Sequence, residues 1–291
     1  MFSGSIVAIV TPMNESGEID YLAWERLIDW HLAEGTEGIV VAGTTGESAT
    51  VSLAEACELT RRAVARVAGR IPVIAGSGTN DTANSIRRTR ELAEAGADGV
   101  LVVTPYYNKP TQEGLYQHFT AIADESSVPV ILYNVPGRTA VDLLPQTVVR
   151  LASHPRIVAI KEATASLPRM LELLTGCGTE LSILSGDDPT AADTLLAGVQ
   201  GVISVTANVA PALVQQLVTA AVEGDSVRAR ALDLKLQPLH RAMFVEPNPI
   251  PAKWALSELG LIGAGIRLPL TPLSSAGQIS VREAMRAVGV S

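Results

Sequence analysis

One unit recurs about eight times along this chain: a short apolar run followed by an amphipathic stretch. The runs are SIVAIVT (5–11), GIVVA (38–42), IPVIAG (71–76), GVLVVT (99–104), VPVILYN (128–134), IVAIKE (157–162), LSILSG (181–186) and GVISVT (201–206). Each is almost unbroken in apolar residues, as a parallel strand covered on both faces must be. The stretches between them carry helical spacing. In 21–35, Leu22, Trp24, Leu27, Ile28 and Leu32 share one face, and 53–69 and 82–96 are patterned alike. Each of these three ends on glycine, a signal for a helix C-terminus. Run starts are spaced 20–33 residues apart. That count and period predict an α/β fold, a closed (β/α)8 TIM barrel over 1–224, rather than an open sheet. An open dinucleotide-binding sheet would need GxGxxG in its first strand-to-helix turn. AGSGTN (75–80) and GLIGAG (260–265) match neither the pattern nor the place. Residues 225–291 read as a helical extension packed on the barrel, with helices over 226–244 and 249–260 parted by the proline-rich VEPNPIPA (245–252).

Composition narrows the function. Hydrophobic residues make up 47% and aromatics only 4%, so the core is mostly aliphatic. A net charge of −8 without a basic stripe argues against a nucleic-acid partner. No apolar run approaches the ~18 residues of a membrane span. The N-terminus lacks the basic region of a signal peptide. Cys57 and Cys177 form no CxxC, which suits a reduced cytoplasm and offers no metal framework. His31, His118, His154 and His240 have no partner at ligand spacing, and neither HExxH nor GxSxG occurs. The expectation is a cytoplasmic protein without metal or cofactor and without a membrane segment.

In barrel enzymes chemistry sits where the strands end at their C-termini. GTTGES (43–48) follows the second run, TPYYN (104–108) the fourth, YNVPGRT (133–139) the fifth and SGDD (185–188) the seventh. Lys161 ends the sixth. Burying an ammonium is costly, and an apolar setting favours the neutral amine that attacks carbonyls. The competing reading is a lysine that reaches to solvent along its aliphatic stem. In GTTGE, backbone N–H groups and two hydroxyls suit a carboxylate or phosphate, or simply cap a tight turn. Tyr133 either opens into the barrel mouth or is a core tyrosine. Arg138 either grips a carboxylate in bidentate fashion or is a surface arginine. Asp187 and Asp188 either hold a cation or cap the helix near Pro189. A lysine, tyrosines, threonines and an arginine, with no histidine base, form the inventory of a metal-independent class I aldolase.

The motifs GTTGES, TPYYNKP, YNVPGRT, IKEAT, LSGDD, GVISVTAN and FVEPNPIPAKWA occur in that order. Together they closely resemble, over essentially the whole chain, the dihydrodipicolinate synthase family of pyruvate-dependent lyases, which also contains N-acetylneuraminate lyase. The resemblance implies that Lys161 forms an imine with pyruvate and that Tyr133 is the general acid and base. Thr44 would relay protons between Tyr133 and Tyr107, the latter supplied by a neighbouring subunit of a homotetramer, a dimer of dimers. Thr45 would bind the pyruvate carboxylate and Arg138 the carboxylate of L-aspartate 4-semialdehyde. Gly186 and Ile203 would line the site with backbone carbonyl groups. The product would be 4-hydroxy-tetrahydrodipicolinate, on the route to diaminopimelate and L-lysine. Ser48, Ala49, Asn80 and Tyr106 match the lysine-binding site of inhibited members. Leu53 and Ala56 replace histidines there, and Asn84 replaces a glutamate, so lysine inhibition is expected to be weak or lost. Two alternatives stay open: an N-acetylneuraminate or 2-keto-3-deoxy sugar acid lyase, and a non-catalytic keto-acid-binding barrel.

Overall fold

In the computed structural model, which describes residues 2–290, the eight apolar runs form a closed parallel barrel in chain order. The strands are β1 (Gly4–Ala8), β2 (Gly38–Val41), β3 (Val73–Gly76), β4 (Gly99–Val103), β5 (Val130–Asn134), β6 (Ile157–Glu162), β7 (Ser182–Ser185) and β8 (Gly201–Ser204). Helices α1 (Tyr21–Ala33), α2 (Leu53–Val67), α3 (Thr82–Glu94) and α4 (Gln112–Asp124) follow the first four strands. After β5 comes the short α5 (Pro136–Thr139), then α6 (Pro145–Ala152). Next come α7 (Leu167–Cys177), α8 (Ala191–Leu196) and α9 (Pro211–Val222), which completes the barrel. The remaining chain holds α10 (Ser226–Ala242), α11 (Ile250–Glu258) and α12 (Ser275–Val288).

The apolar runs are unbroken because each strand feeds two cores. Ile6, Val40, Ile74, Leu101, Ile131, Ala159, Leu184 and Ile203 fill the barrel interior with Phe2. Their strand neighbours, such as Val7, Ile39, Val73, Val100, Leu132 and Ile160, face the helices. Alternation is broken once. Val130 pairs with Ile157 but Ile131 pairs with Ala159, so β6 carries one extra residue at Val158. Ile157 faces the helices, Val158 and Ala159 both turn toward the interior, and the alternation then resumes. The bulge therefore shifts the remaining residues of β6 to the opposite faces.

The strands end two or more residues sooner than the apolar runs at two places on the rim, after β1 and after β8. Past Ala8, the amide of Val10 donates to Asn208 Oδ1 at 3.0 Å. Past Ser204, the amides of Val205 and Thr206 donate to Asp188 Oδ2, both at 2.9 Å. Buried side chains thus replace strand partners, and the chain is free to turn. Helix ends follow the expected chemistry with one exception. Gly35 and Gly96 take positive φ just beyond α1 and α3, but after α2 it is Ala68 that turns left-handed first, at φ 50°. At the start of α2, Ser52 and Glu55 form a capping box.

The tail packs α10 along α9 and α12, and its apolar side chains join those of α1, α2 and β1–β3 in one cluster. No helix among the described residues is long and apolar enough to cross a membrane.

Candidate active site

Tyr133 and Lys161 are register partners on β5 and β6, and both turn inward at the top of the barrel. Lys161 is only 5% exposed, and its Nζ lies 4.5 Å from the centre of the Tyr133 ring. Among the described residues it has neither a hydrogen bond nor a carboxylate within 4 Å. Gly186 makes room for it. A Cβ at 186 would lie 2.9 Å from Lys161 Cε and 2.8 Å from the Ala163 side chain. Any larger residue would have to push the lysine stem aside.

The outward faces of the same two strands are tied by a polar network. Asn134 Nδ2 donates to Glu162 Oε2 at 3.0 Å and to Asp142 Oδ1 at 2.7 Å. Arg169 pairs with Asp142 at 2.7 Å and lies 3.7 Å from Glu162. Burial raises the Glu162 carboxyl above its usual value, against the pull of Asn134, Thr164 and Arg169. This network fixes β5 against β6 and so holds Tyr133 and Lys161 side by side.

GTTGES lies at the end of β2. Gly46 is required by close approach, since a Cβ there would lie 3.0 Å from the Ala42 backbone. Ala42 and Glu47 take left-handed φ of 49° and 58° at either side of the turn. Such conformations persist only where the surroundings hold them. Here the tail does so. Glu47 is buried, pairs with Lys253 of α11, and accepts from the Arg267 amide at 3.1 Å. Arg267 also forks onto both Glu55 oxygens and donates to the carbonyls of Gly17 and Thr50. Asn248 Nδ2 donates to Thr45 Oγ1 at 2.9 Å, which leaves the Thr45 hydroxyl proton free to donate in turn. The amides of Thr44 and Thr45 have no partner among the described residues.

These parts surround one cavity of about 110 Å3, lined by Thr44, Thr45, Tyr133, Arg138, Lys161 and Gly186, with Asp187, Phe244 and Asn248 completing the wall. At roughly 30 Å3 per water, it has room for about four waters or a small keto acid. Arg138, on α5, is exposed at its edge and has no ion pair among the described residues. A roomier cavity of about 450 Å3 lies between Trp30, Pro211, Lys235 and Gly289, away from all of these groups. The larger space lacks the unpaired amine, phenol and free amides that converge on the smaller one.

Other residues singled out in the sequence fall elsewhere. Ile203 sits in the barrel interior, while Val205 lines the cavity. Tyr107 is 88% exposed at φ 75° and is not part of this chain's cavity wall; Tyr106 beside it is half-exposed. Ser48, Ala49, Asn84 and Tyr106 line a neighbouring cavity. Asn80 is seen by its carbonyl, which accepts from Asn108 Nδ2 at 2.8 Å. Leu53 and Ala56 pack into the core from α2.

Asp187 caps as expected, accepting from the Thr190 amide at 3.2 Å, whereas Asp188 reaches across to the β8 loop instead. His31, His118 and His240 are buried, each with Nδ1 on a threonine hydroxyl 2.8–3.0 Å away. Desolvation pulls His31 down to about 3 and His118 to about 4, so both are neutral at pH 7. No set of three or more His, Cys, Asp or Glu among the described residues is placed to hold a metal ion.

With the geometry established, comparison with known proteins is decisive. The model of the dihydrodipicolinate synthetase family matches residues 1–288. The chain belongs to this family. Its relatives include the 4-hydroxy-tetrahydrodipicolinate synthases of Stutzerimonas stutzeri (strain A1501) and Alcanivorax borkumensis. Each is 56% identical over 290 residues, covering 100% of this chain and 99% of the relative. Among solved structures, the pyruvate complex of the chloride-inhibited dihydrodipicolinate synthase from Acinetobacter baumannii superposes with a TM-score of 0.99. It is 48% identical, with both chains fully covered.

Seen as a family member, the chain shows what motif reading passes over. Asn248, Phe244, Glu47, Lys253 and Arg267 were not assigned roles from sequence. Their signal was present in part: Phe244, Asn248 and Lys253 lie inside FVEPNPIPAKWA and Glu47 inside GTTGES, while Arg267 lies in neither. Only the fold brings these distant segments into contact.

Proposed function

We propose that this chain condenses pyruvate with L-aspartate 4-semialdehyde to give 4-hydroxy-tetrahydrodipicolinate, as a class I Schiff-base lyase whose nucleophile is Lys161. The observation that carries this reading is Lys161 itself: buried, unpaired and against the Tyr133 ring, in a cavity the size of a keto acid. The family and the pyruvate-bound neighbour support it.

In this reading the free Thr44 and Thr45 amides and the Thr45 hydroxyl receive the pyruvate carboxylate. That places the ketone carbon near Lys161 Nζ. The amine adds to the ketone, and loss of water leaves a protonated imine. Its positive nitrogen draws electrons from the methyl carbon, which gives up a proton and becomes an enamine. The enamine carbon attacks the aldehyde, forming the carbon–carbon bond, and the new alkoxide takes a proton. The amine of the second substrate then adds to the imine carbon, expels Lys161 and closes the ring. Tyr133 is the proton carrier in these steps, placed by register beside the lysine. Arg138, unpaired at the edge, receives the second carboxylate, while Gly186 lines the site with backbone.

Tyr107, exposed and held in a strained left-handed conformation, is proposed to enter the cavity of a second copy in a homotetramer. The protein is proposed to work in the cytoplasm.

The test is borohydride reduction in the presence of pyruvate, followed by peptide mass mapping. The expected adduct is on Lys161. An adduct on Lys253 or Lys109, or none, overturns the assignment. Preferential cleavage of N-acetylneuraminate would move the chain to that branch of the family.

A further inference from the structure

The wall of the catalytic cavity divides into free donors and free acceptors. Lys161, the Thr44 and Thr45 amides, the Thr45 hydroxyl and the Arg138 guanidinium are the donors. Two acceptors border the same space. Asp187 is the only aspartate or glutamate in this wall among the described residues. Its Oδ2 accepts from the Thr190 amide at 3.2 Å and from the Thr190 hydroxyl at 2.7 Å, while its Oδ1 has no partner among those residues. Asn248 is 5% exposed, and its Oδ1 is buried without a partner while its Nδ2 is held on Thr45.

A buried acceptor without a donor is costly, and so is a carboxylate without a counter-charge. Pyruvate relieves neither in full. Its carboxylate and ketone only accept hydrogen bonds, and its imine offers a single N–H. The acceptors therefore fit a second occupant rich in donors. From Lys161 outward the wall becomes steadily more exposed, through half-buried Asp187 to exposed Arg138. These two opposite charges line one mouth and form no ion pair with each other. Of the groups on an α-amino acid aldehyde, the carboxylate and the aldehyde accept, and only the ammonium donates.

We propose that Asp187, seconded by Asn248 Oδ1, is the specificity site for the α-ammonium of the second substrate, opposite Arg138. The proposal rests on the functional reading above, in which Arg138 takes the carboxylate of that substrate. Ammonium, carboxylate and the arm that carries the aldehyde toward Lys161 leave one α-carbon in three fixed directions. The site should therefore select the L-amino acid over its mirror image and over an aldehyde that has a carboxylate alone.

The experiment is calorimetric titration of the full chain, in its native assembly, with pyruvate already reduced onto its lysine by borohydride so that no imine can react. The probes, at constant ionic strength, are L-homoserine, in which an alcohol replaces the aldehyde, its D-enantiomer, and 4-hydroxybutanoate, which lacks the ammonium. Wild type is compared with Asp187→Asn and Asp187→Ser, which remove the charge and can still cap Thr190. Wild type should bind L-homoserine at least about tenfold more tightly than either other probe. Both variants should lose that preference, keep their affinity for 4-hydroxybutanoate and keep the pyruvate adduct. Their kcat/KM for the semialdehyde should fall at least about tenfold. Equal affinities in wild type overturn the proposal, as does no binding of any probe or a preference that survives in both variants. Loss of 4-hydroxybutanoate binding in both variants also overturns it and makes Asp187 a support of the loop. Should pyruvate fail to label Lys161, the functional reading falls, while the same titrations on the untreated chain still decide whether Asp187 holds an ammonium.

Discussion

Lys161 and Lys253 are buried alike, at 5% and 4% exposure, and yet sit in opposite settings. Lys253 is closed against Glu47 in a buried ion pair behind the GTTGES turn. Desolvation still lowers its amine from the ordinary value, with Glu47 pulling the other way. Lys161 has only the face of Tyr133 and an open cavity. The two arginines repeat the contrast. Arg267 is spent on Glu55, Gly17 and Thr50, while Arg138 stands unpaired at the mouth. Burial alone therefore does not tell the two lysines apart; a partner in one case and open space in the other does. The paired region acts as a clamp that keeps Ala42 and Glu47 in left-handed conformations and so presents the Thr44 and Thr45 amides. The unpaired region is where substrate is expected to complete the charge balance.

The contrast is broken most directly by exchanging lysines for neutral residues. Lys161→Ala should remove the pyruvate adduct and lower turnover by about 10^3-fold or more, some 4 kcal/mol. Lys253→Met should keep the adduct on Lys161 but lose about 3–5 kcal/mol of stability, because Glu47 is left buried and alone. Adding Glu47→Gln should recover part of that loss in urea unfolding. Strictly additive losses would show that the two residues are not coupled.

Arg138→Ala should leave pyruvate trapping intact and reduce kcat/KM for the semialdehyde by about 2–5 kcal/mol. Steady-state kinetics with each substrate varied would separate the two. An unchanged value for the aldehyde would remove Arg138 from the site.

The clamp arginine should instead show itself in stability and its pH dependence. The Arg267 guanidinium holds the Glu55 carboxyl down at about 2, against an ordinary 4.5. A carboxyl depressed in the folded state stabilises fully above its unfolded value, and that contribution drains away as pH falls through 4.5 toward 2. At pH 7, Glu55→Gln should cost about 1–2 kcal/mol after allowance for solvent screening. Thermal unfolding should show the gap between wild type and variant closing across that acid range. A gap independent of pH would mean that the pair contributes through packing alone.

The smallest effect expected is that of L-lysine. The cavity lined by Ser48, Ala49 and Tyr106 offers Asn84 and Arg88 but no carboxylate for an α-ammonium. Sub-millimolar lysine should therefore leave turnover unchanged, and strong inhibition in that range would show that other residues supply the missing contacts.

Much of this was legible in one dimension. Unbroken apolar runs at a steady spacing gave the barrel, because a strand buried on both faces has few polar positions to spend. The rim motifs named Lys161, Tyr133, Thr44, Thr45, Arg138 and Gly186, and the fold gathers all six around one cavity. Asp188 precedes a helix, which suggests a cap or a cation ligand, but its carboxylate crosses to the β8 loop. The clamp was hidden because Glu47 and Lys253 are 206 residues apart.

The amino-acid sequence by itself determined the barrel, the order of its strands and the rim on which chemistry is carried. Which way Lys161 points was decided only in three dimensions. In IVAIKE, residues on both faces of the run are apolar, so the pattern does not say which face is the interior. Strict alternation from Ile157, which faces the helices, would send Lys161 out among them. The extra residue at Val158, set by pairing with β5, turns it inward beside Tyr133. A one-residue shift in a period-2 strand exchanges its faces, and that exchange depends on a neighbour 27 residues earlier, where Val130 pairs with Ile157.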